Sequence, residues 1–128
     1  MQIVFNMAIA DIQIKRAYRP ASGKDGWRIL VDRLWPRGID KKEAALNDWC
    51  KQAAPSSELR KWFNHQEDKW PEFKKKYKQE LKSNPEALEP LIAAIRQYPL
   101  VTLVYAARDD AHNNAVVLKE LLLSTLKK

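Results

Sequence analysis

L-V-T-L-V-Y-A-A-R-D-D-A-H-N-N, running from Leu100 to Asn114, changes character in its middle. A β-branched apolar run breaks off into Arg108, Asp109, Asp110, His112, Asn113 and Asn114, and a second apolar run with helical spacing follows at once. The stretch predicts a buried strand, a short polar turn and a helix start. In α/β proteins ligands gather at the carboxyl ends of strands, where helix N-termini present free N–H groups. Six polar side chains in seven residues at such a junction mark a candidate site.

Upstream, two more strands are expected. Ile9 to Tyr18 alternates weakly, with Ile12 and Ile14 on one side and Gln13 and Lys15 on the other, and Trp27 to Trp35 is rich in Ile, Leu and Val. The turn-rich segment from Arg19 to Gly26 between them is too short for a helical crossover. Helices fill the long connection to the third strand. Asp40 caps one running to about Trp49, and Ser56 or Ser57 caps a short one carrying Leu59, Trp62 and Phe63, with Asn64 as a left-handed C-cap. Asp68 caps the next, whose Trp70, Phe73, Tyr77 and Leu81 form an apolar stripe. Ser83 and Glu86 have capping-box spacing, and Pro90 demands a kink or a new start. The last helix is expected from Ala111 to about Leu126, with a broad apolar face. This order of elements gives the fold class: α/β, a single compact layered domain with a small, mainly parallel sheet flanked by helices. The domain is expected over 9–128, behind an N-terminal extension of 1–8.

The chain has 128 residues, 45% hydrophobic and 30% charged, enough for one real core and not the composition of a disordered protein. Its net charge of +7 favours anionic partners. One cysteine, Cys50, excludes an intramolecular disulfide and fits a reducing cytoplasm. No apolar run approaches the ~18 residues of a membrane span, so no membrane role is expected. The first ten residues lack the basic start and cleavage site of a signal peptide.

Asp32 and Arg33 interrupt the second strand near its carboxyl end. A buried charge needs a partner or a wet cavity, and strand alternation predicts that the two face opposite ways. Structural salt bridges and a pocket lined by Arg33 and Arg37 both account for them. Arg60 and His65 stand in A-P-S-S-E-L-R-K-W-F-N-H, and His112, the other of the two histidines, is expected just inside the last helix. A Gly-rich phosphate loop, a G-x-S-x-G elbow and an H-x-x-x-H metal pair are all missing, so the sequence names no cofactor and no metal is expected. Cys50, read as helical, is expected to be inert packing.

Four segments, I-K-R-A-Y-R-P, D-G-W-R-I-L-V-D-R-L-W-P-R-G, A-P-S-S-E-L-R-K-W-F-N-H and Y-A-A-R-D-D-A-H-N-N-A-V-V-L, together resemble the YeaO-like proteins, a bacterial and archaeal family of unknown function. The resemblance runs from Ile14 to Leu122. It implies a compact single-domain α/β protein and no particular activity. More distant relatives carry cysteines around the end of the last strand, and Tyr105 to Asn114 has none, so thiol chemistry does not carry over. Asn64 stands where relatives often have glycine.

The leading expectation is a polar, arginine-rich pocket for a small anionic, phosphate-bearing ligand, a nucleotide or a phosphorylated metabolite. Arg33, Arg37, Arg60 and Arg108 are expected to hold the anion, with Tyr105, Asn113 and Asn114 among the ligand-binding residues. His112 or His65 would move a proton if there is catalysis, with Asp32 or Asp109 orienting it. Enzyme and pure binder both stay open, with a lean to the enzyme. One alternative is a nucleic-acid-binding module built on the basic helix of Lys74 to Lys78. Another is a protein-interaction module whose Arg and Trp residues form a partner surface.

Overall fold

The computed structural model describes residues 11–126. The expected extension over 1–8 lies outside them, as do Ile9 and Ala10 of the expected first strand and residues 127 and 128. In chain order the elements are β1 (Asp11–Arg16), β2 (Trp27–Leu30), α1 (Lys41–Ala44), β3 (Asp48–Trp49), α2 (Ser57–Phe63), α3 (Trp70–Ser83), α4 (Glu89–Gln97), β4 (Leu100–Tyr105) and α5 (Asn114–Leu126). The four strands run parallel in the order β1-β4-β2-β3, bearing out the α/β class.

β4 is central. Val101 to Tyr105 are all buried, the near-continuous apolar pattern, broken only by Thr102, of a parallel strand covered on both faces. β1 and β2 flank it in register, Ile12 opposite Val101 and Ile29 opposite Leu103, so the short connection between β1 and β2 never has to join neighbours. Gly26 in that connection has φ 65, and a Cβ there would lie 2.3 Å from the Leu100 carbonyl oxygen, so only glycine fits.

The helices bury the faces their spacing predicts. α3 sinks Phe73, Tyr77 and Leu81 into the core, where Phe73 stacks on Phe63 of α2 at 4.3 Å. α5 buries Ala115, Val117, Leu118 and Leu122. Asp40 and Ser56 cap α1 and α2 through Glu43 N and Leu59 N, and Asn64 closes α2 at φ 46. Pro90 sits in the first turn of α4, a new start where its missing N–H costs nothing. Among the described residues no helix is long and apolar enough to cross a membrane.

Several boundaries differ from expectation. The helix expected from Asp40 to about Trp49 stops at Ala44, because Ala45 takes the left-handed conformation, φ 47. The chain then forms β3, anchored where Cys50 N donates to Leu30 O and where the Trp49 ring meets Trp35 edge-on. Cys50 is therefore not helical; burial, with Asp48 nearby, pushes its thiol up to about 12, which favours the thiol over the nucleophilic thiolate. β2 ends at Leu30 rather than Trp35. Asp68 lies inside a 3-10 turn, Glu67–Lys69, and does not cap α3, which starts with Pro71 in its first turn. Ser83 and Glu86 form no capping box, since Ser83 is the last residue of α3 and a 3-10 turn, Pro85–Leu88, follows Asn84. The last helix starts at Asn114, which leaves His112 in the turn before it.

A buried charge cluster was not foreseen. Asp25 accepts hydrogen bonds from Arg28 Nη1 at 2.6 Å, Lys15 Nζ at 3.0 Å and Ser22 N at 2.9 Å. The rest of the Arg28 guanidinium binds the Ala44 carbonyl, and Thr102 in mid-β4 donates to the Asp25 carbonyl. Burial alone would raise the Asp25 pKa, but the Ser22 N–H and the two cations outweigh it and hold it low. The cluster pins the start of β2 and the end of α1 at the amino end of β4.

Candidate functional site

At the opposite end of the sheet an open cleft of about 980 Å³ lies beyond the carboxyl ends of β1, β2 and β4. β1 contributes Arg16, and the residues after it contribute Tyr18. The segment after β2 brings Asp32 to Arg37, α2 and its end bring Arg60, Phe63 and His65, and the turn after β4 brings Arg108, Asp109 and His112. Five arginines face two aspartates around this one space.

Asp32 shapes the floor. Its Oδ2 accepts from Ala106 N at 2.9 Å and its Oδ1 from Asn114 Nδ2 at 3.1 Å, while the same amide reaches Val31 O at 2.9 Å. One carboxylate thus ties together the chain after β2, the chain after β4 and the first residue of α5. Burial raises its pKa, against the Ala106 and Asn114 hydrogen bonds and the electrostatic influence of nearby Arg60 and His65. Asp32 and Arg33 were expected to face opposite ways. Both line the cleft, because strand geometry has already ended at Leu30 and alternation no longer applies. Among the described residues neither forms an ion pair. Arg33 reaches the Ala54 and Pro55 carbonyls only at 3.4 and 3.5 Å, and its buried Nε has no hydrogen-bond partner.

The turn before α5 is organised by Asp109. Its Oδ1 accepts from Ala111 N and His112 N, at 2.9 and 3.0 Å, and its Oδ2 meets His112 Nδ1 at 2.8 Å. The Ala111 N–H and the His112 side chain lower the Asp109 pKa. Asp109 thus makes the bonds of an N-cap to the N–H groups two and three residues on, yet α5 begins only at Asn114. The His112 ring stands edge-on to Trp70 at 5.2 Å. Asn113 is buried, its amide donating to Asp109 O and its Oδ1 accepting from Val116 N in the manner of an N-cap.

The expected site residues thus fall as follows. Arg33, Arg37, Arg60 and Arg108 line the cleft, as do His65, His112 and Asp32. Asn113 and Asn114 line it too, although the Asn114 amide bonds Val31 O and Asp32 and the Asn113 amide bonds Asp109 O within the chain. Tyr105 is the exception: its ring belongs to the core, 2% exposed, and does not line the cleft. Arg16 and Tyr18 were not singled out from the sequence. Arg16 Nε donates to Ala107 O at 3.1 Å, its guanidinium lies 4.6 Å over the Tyr18 ring, and Tyr18 OH donates to Arg37 O at 2.8 Å. The usable signal was their position at the carboxyl end of β1, beside the end of β4.

Among the described residues one group of side chains could hold a metal ion, and His65 is not in it. Glu67, Asp109 and His112 offer ligand atoms within 4.8 Å of one another, but Asp109 already bonds to the His112 ring and to two backbone N–H groups.

Fold and cleft together define the class: a parallel α/β domain with a cationic cleft at the carboxyl end of its sheet. The family model described as "Inactive DUF488-N3 subclade" matches residues 11–128, and the chain belongs to that family. It is similar to YeaO of Escherichia coli K12, 44% identical over 114 residues, which is 89% of this chain and 98% of that protein. It is also similar to Rv3073c of Mycobacterium tuberculosis H37Rv, 39% identical over 111 residues, 87% of this chain and 92% of that one. Both relatives are described as uncharacterized, and the resemblance to YeaO-like proteins is borne out. No solved structure matches the chain.

Proposed function

We propose that this protein binds a small phosphate-bearing anion in the cleft. The observation that carries the reading is the excess of arginines over carboxylates around one open space at strand carboxyl ends, with the Arg33 Nε buried and unpartnered there. A guanidinium matches phosphate with paired N–H donors, so several around one cavity suit this ligand better than scattered lysines would. Arg60 and Arg108 are exposed on the cleft lining and can swing onto the anion. Asn113 and Asn114 act indirectly, by holding the turn that carries Arg108.

The family's description as inactive supports a receptor over a catalyst. The group best arranged to move a proton, should chemistry occur, is His112. Its Nδ1 is engaged by Asp109, which leaves Nε2 for a ligand. The nucleic-acid reading has less to rest on. The ammonium groups of Lys69 and Lys76 lie over Trp62, at 5.0 and 4.1 Å, and Lys74 pairs with Glu120.

Differential scanning fluorimetry with inorganic phosphate and pyrophosphate, at constant ionic strength, tests the proposal. Both anions are expected to raise the melting temperature of the wild type, and the rise should vanish in Arg60→Ala and Arg108→Ala while the unliganded melts stay put. Stabilisation that is absent, or indifferent to both substitutions, would sink it.

A further inference from the structure

Among the described residues only two large hydrophobic side chains are exposed: Tyr18 at 43% and Leu34 at 60%. They belong to different segments, after β1 and after β2, yet both line the arginine-rich cleft. Exposed apolar groups scattered singly need no explanation, but two that converge on one cationic cavity do. As a landing site for another protein the pair is far too small, since a stable interface takes about 800 Å² from each partner.

The Tyr18 ring is also held in place. Its hydroxyl donates to the Arg37 carbonyl at 2.8 Å, and the Arg16 guanidinium lies 4.6 Å from its centroid while donating to the Ala107 carbonyl. An exposed ring fixed before any ligand arrives loses little freedom on binding, so it makes an efficient stacking platform. The cleft, at about 980 Å³, is far larger than a bare phosphate needs. Its lining combines guanidinium groups with an ordered aromatic and an exposed aliphatic side chain. The ligand that uses both features has a flat, largely apolar part as well as an anionic one.

Resting on the anion-binding reading above, we infer that the ligand is a nucleoside phosphate. Its base lies against Tyr18 and Leu34, and its phosphate is held by Arg33, Arg60 and Arg108. A sugar phosphate would leave Tyr18 and Leu34 in water. Selection for the base comes from stacking and carries no requirement for one base over another.

Isothermal titration of the wild-type chain with adenosine monophosphate, uridine monophosphate, ribose 5-phosphate and inorganic phosphate tests the inference. Both nucleotides are expected to bind about tenfold or more tightly than ribose 5-phosphate, the range that base–aromatic stacking supplies. In Tyr18→Ala that ratio should collapse toward one. Tyr18→Phe keeps the ring and its Arg16 contact but loses the tether to Arg37, so it should retain most of the ratio, and Leu34→Ser should reduce it. Equal affinity for nucleotides and ribose 5-phosphate in the wild type would overturn the inference while leaving the anion site standing. A nucleotide preference untouched by Tyr18→Ala and by Leu34→Ser would overturn it too, since the base would then lie elsewhere. Failure of every phosphate to bind would remove the anion reading itself.

Discussion

Replacing Asp25 with alanine isolates the strongest electrostatic commitment in the fold. The carboxylate is 4% exposed and Arg28 beneath it 3%. Without Asp25, Arg28 Nη1 loses its partner, although Nε and Nη2 keep the Ala44 carbonyl. Lys15, with 21% of its side chain exposed, can turn to water. The loss is therefore dominated by one stranded buried guanidinium, and leaving such a charge uncompensated costs about 3–5 kcal/mol. For a chain of this length that corresponds to a fall in melting temperature of roughly 10–20 °C. Urea unfolding followed by tryptophan fluorescence at pH 7 measures it. Lys15→Met provides the contrast, at about 1 kcal/mol or less, because its partial exposure screens the pair.

The pH dependence carries its own sign. Asp25 has a folded pKa below its unfolded value of about 3.9, so its contribution is fully present above that value and is lost as pH falls through the lower, folded one. The stability gap between wild type and Asp25→Ala should hold steady at neutral pH and close in acid. A cost for Asp25→Ala below 1 kcal/mol, or equal to that of Lys15→Met, would refute the assignment of the cluster as a buried, interdependent unit.

Asp32 titrates in the opposite sense. Burial raises its folded pKa, so the native state takes up a proton before the unfolded chain does, and stability falls as pH rises from the ordinary carboxylate range through the raised value. Asp32→Asn should flatten that fall, as read from urea midpoints between pH 4 and 7. Asn64, at φ 46, closes α2 in the left-handed region, where glycine carries no Cβ penalty. Asn64→Gly should therefore leave stability unchanged or raise it by up to about 1 kcal/mol in thermal melts. A clear loss would show that the asparagine side chain itself matters there.

Features set by local chemistry were legible in the sequence. β4 announced itself as an apolar run interrupted only by Thr102, α3 by Phe73, Tyr77 and Leu81 at four-residue spacing, and the caps at Asp40, Ser56 and Asn64 by residue type alone. What escaped depends on distant partners. β3 is two residues long and exists because Leu30 accepts from Cys50 and Trp35 receives Trp49. Asp25 sits in what reads as a plain turn, and nothing local says that Lys15 and Arg28 will close on it. The cleft was half legible for the same reason. The residues around β4 were conspicuous, whereas Arg16 and Tyr18 become cleft residues only once β1 is known to lie beside β4.

The Asp32–Ala106 hydrogen bond has a consequence for how such a cleft can vary. Where β2 and β4 part company, a side-chain carboxylate stands in for the peptide carbonyl that another strand residue would have presented. The seam between the strands opens without orphaning the amide at its edge. The lip from Leu34 onward is thereby released from the ladder, free to change length or composition while the sheet behind it stays knitted. Relatives built on this scaffold could remodel what the cleft accepts by rewriting that lip alone.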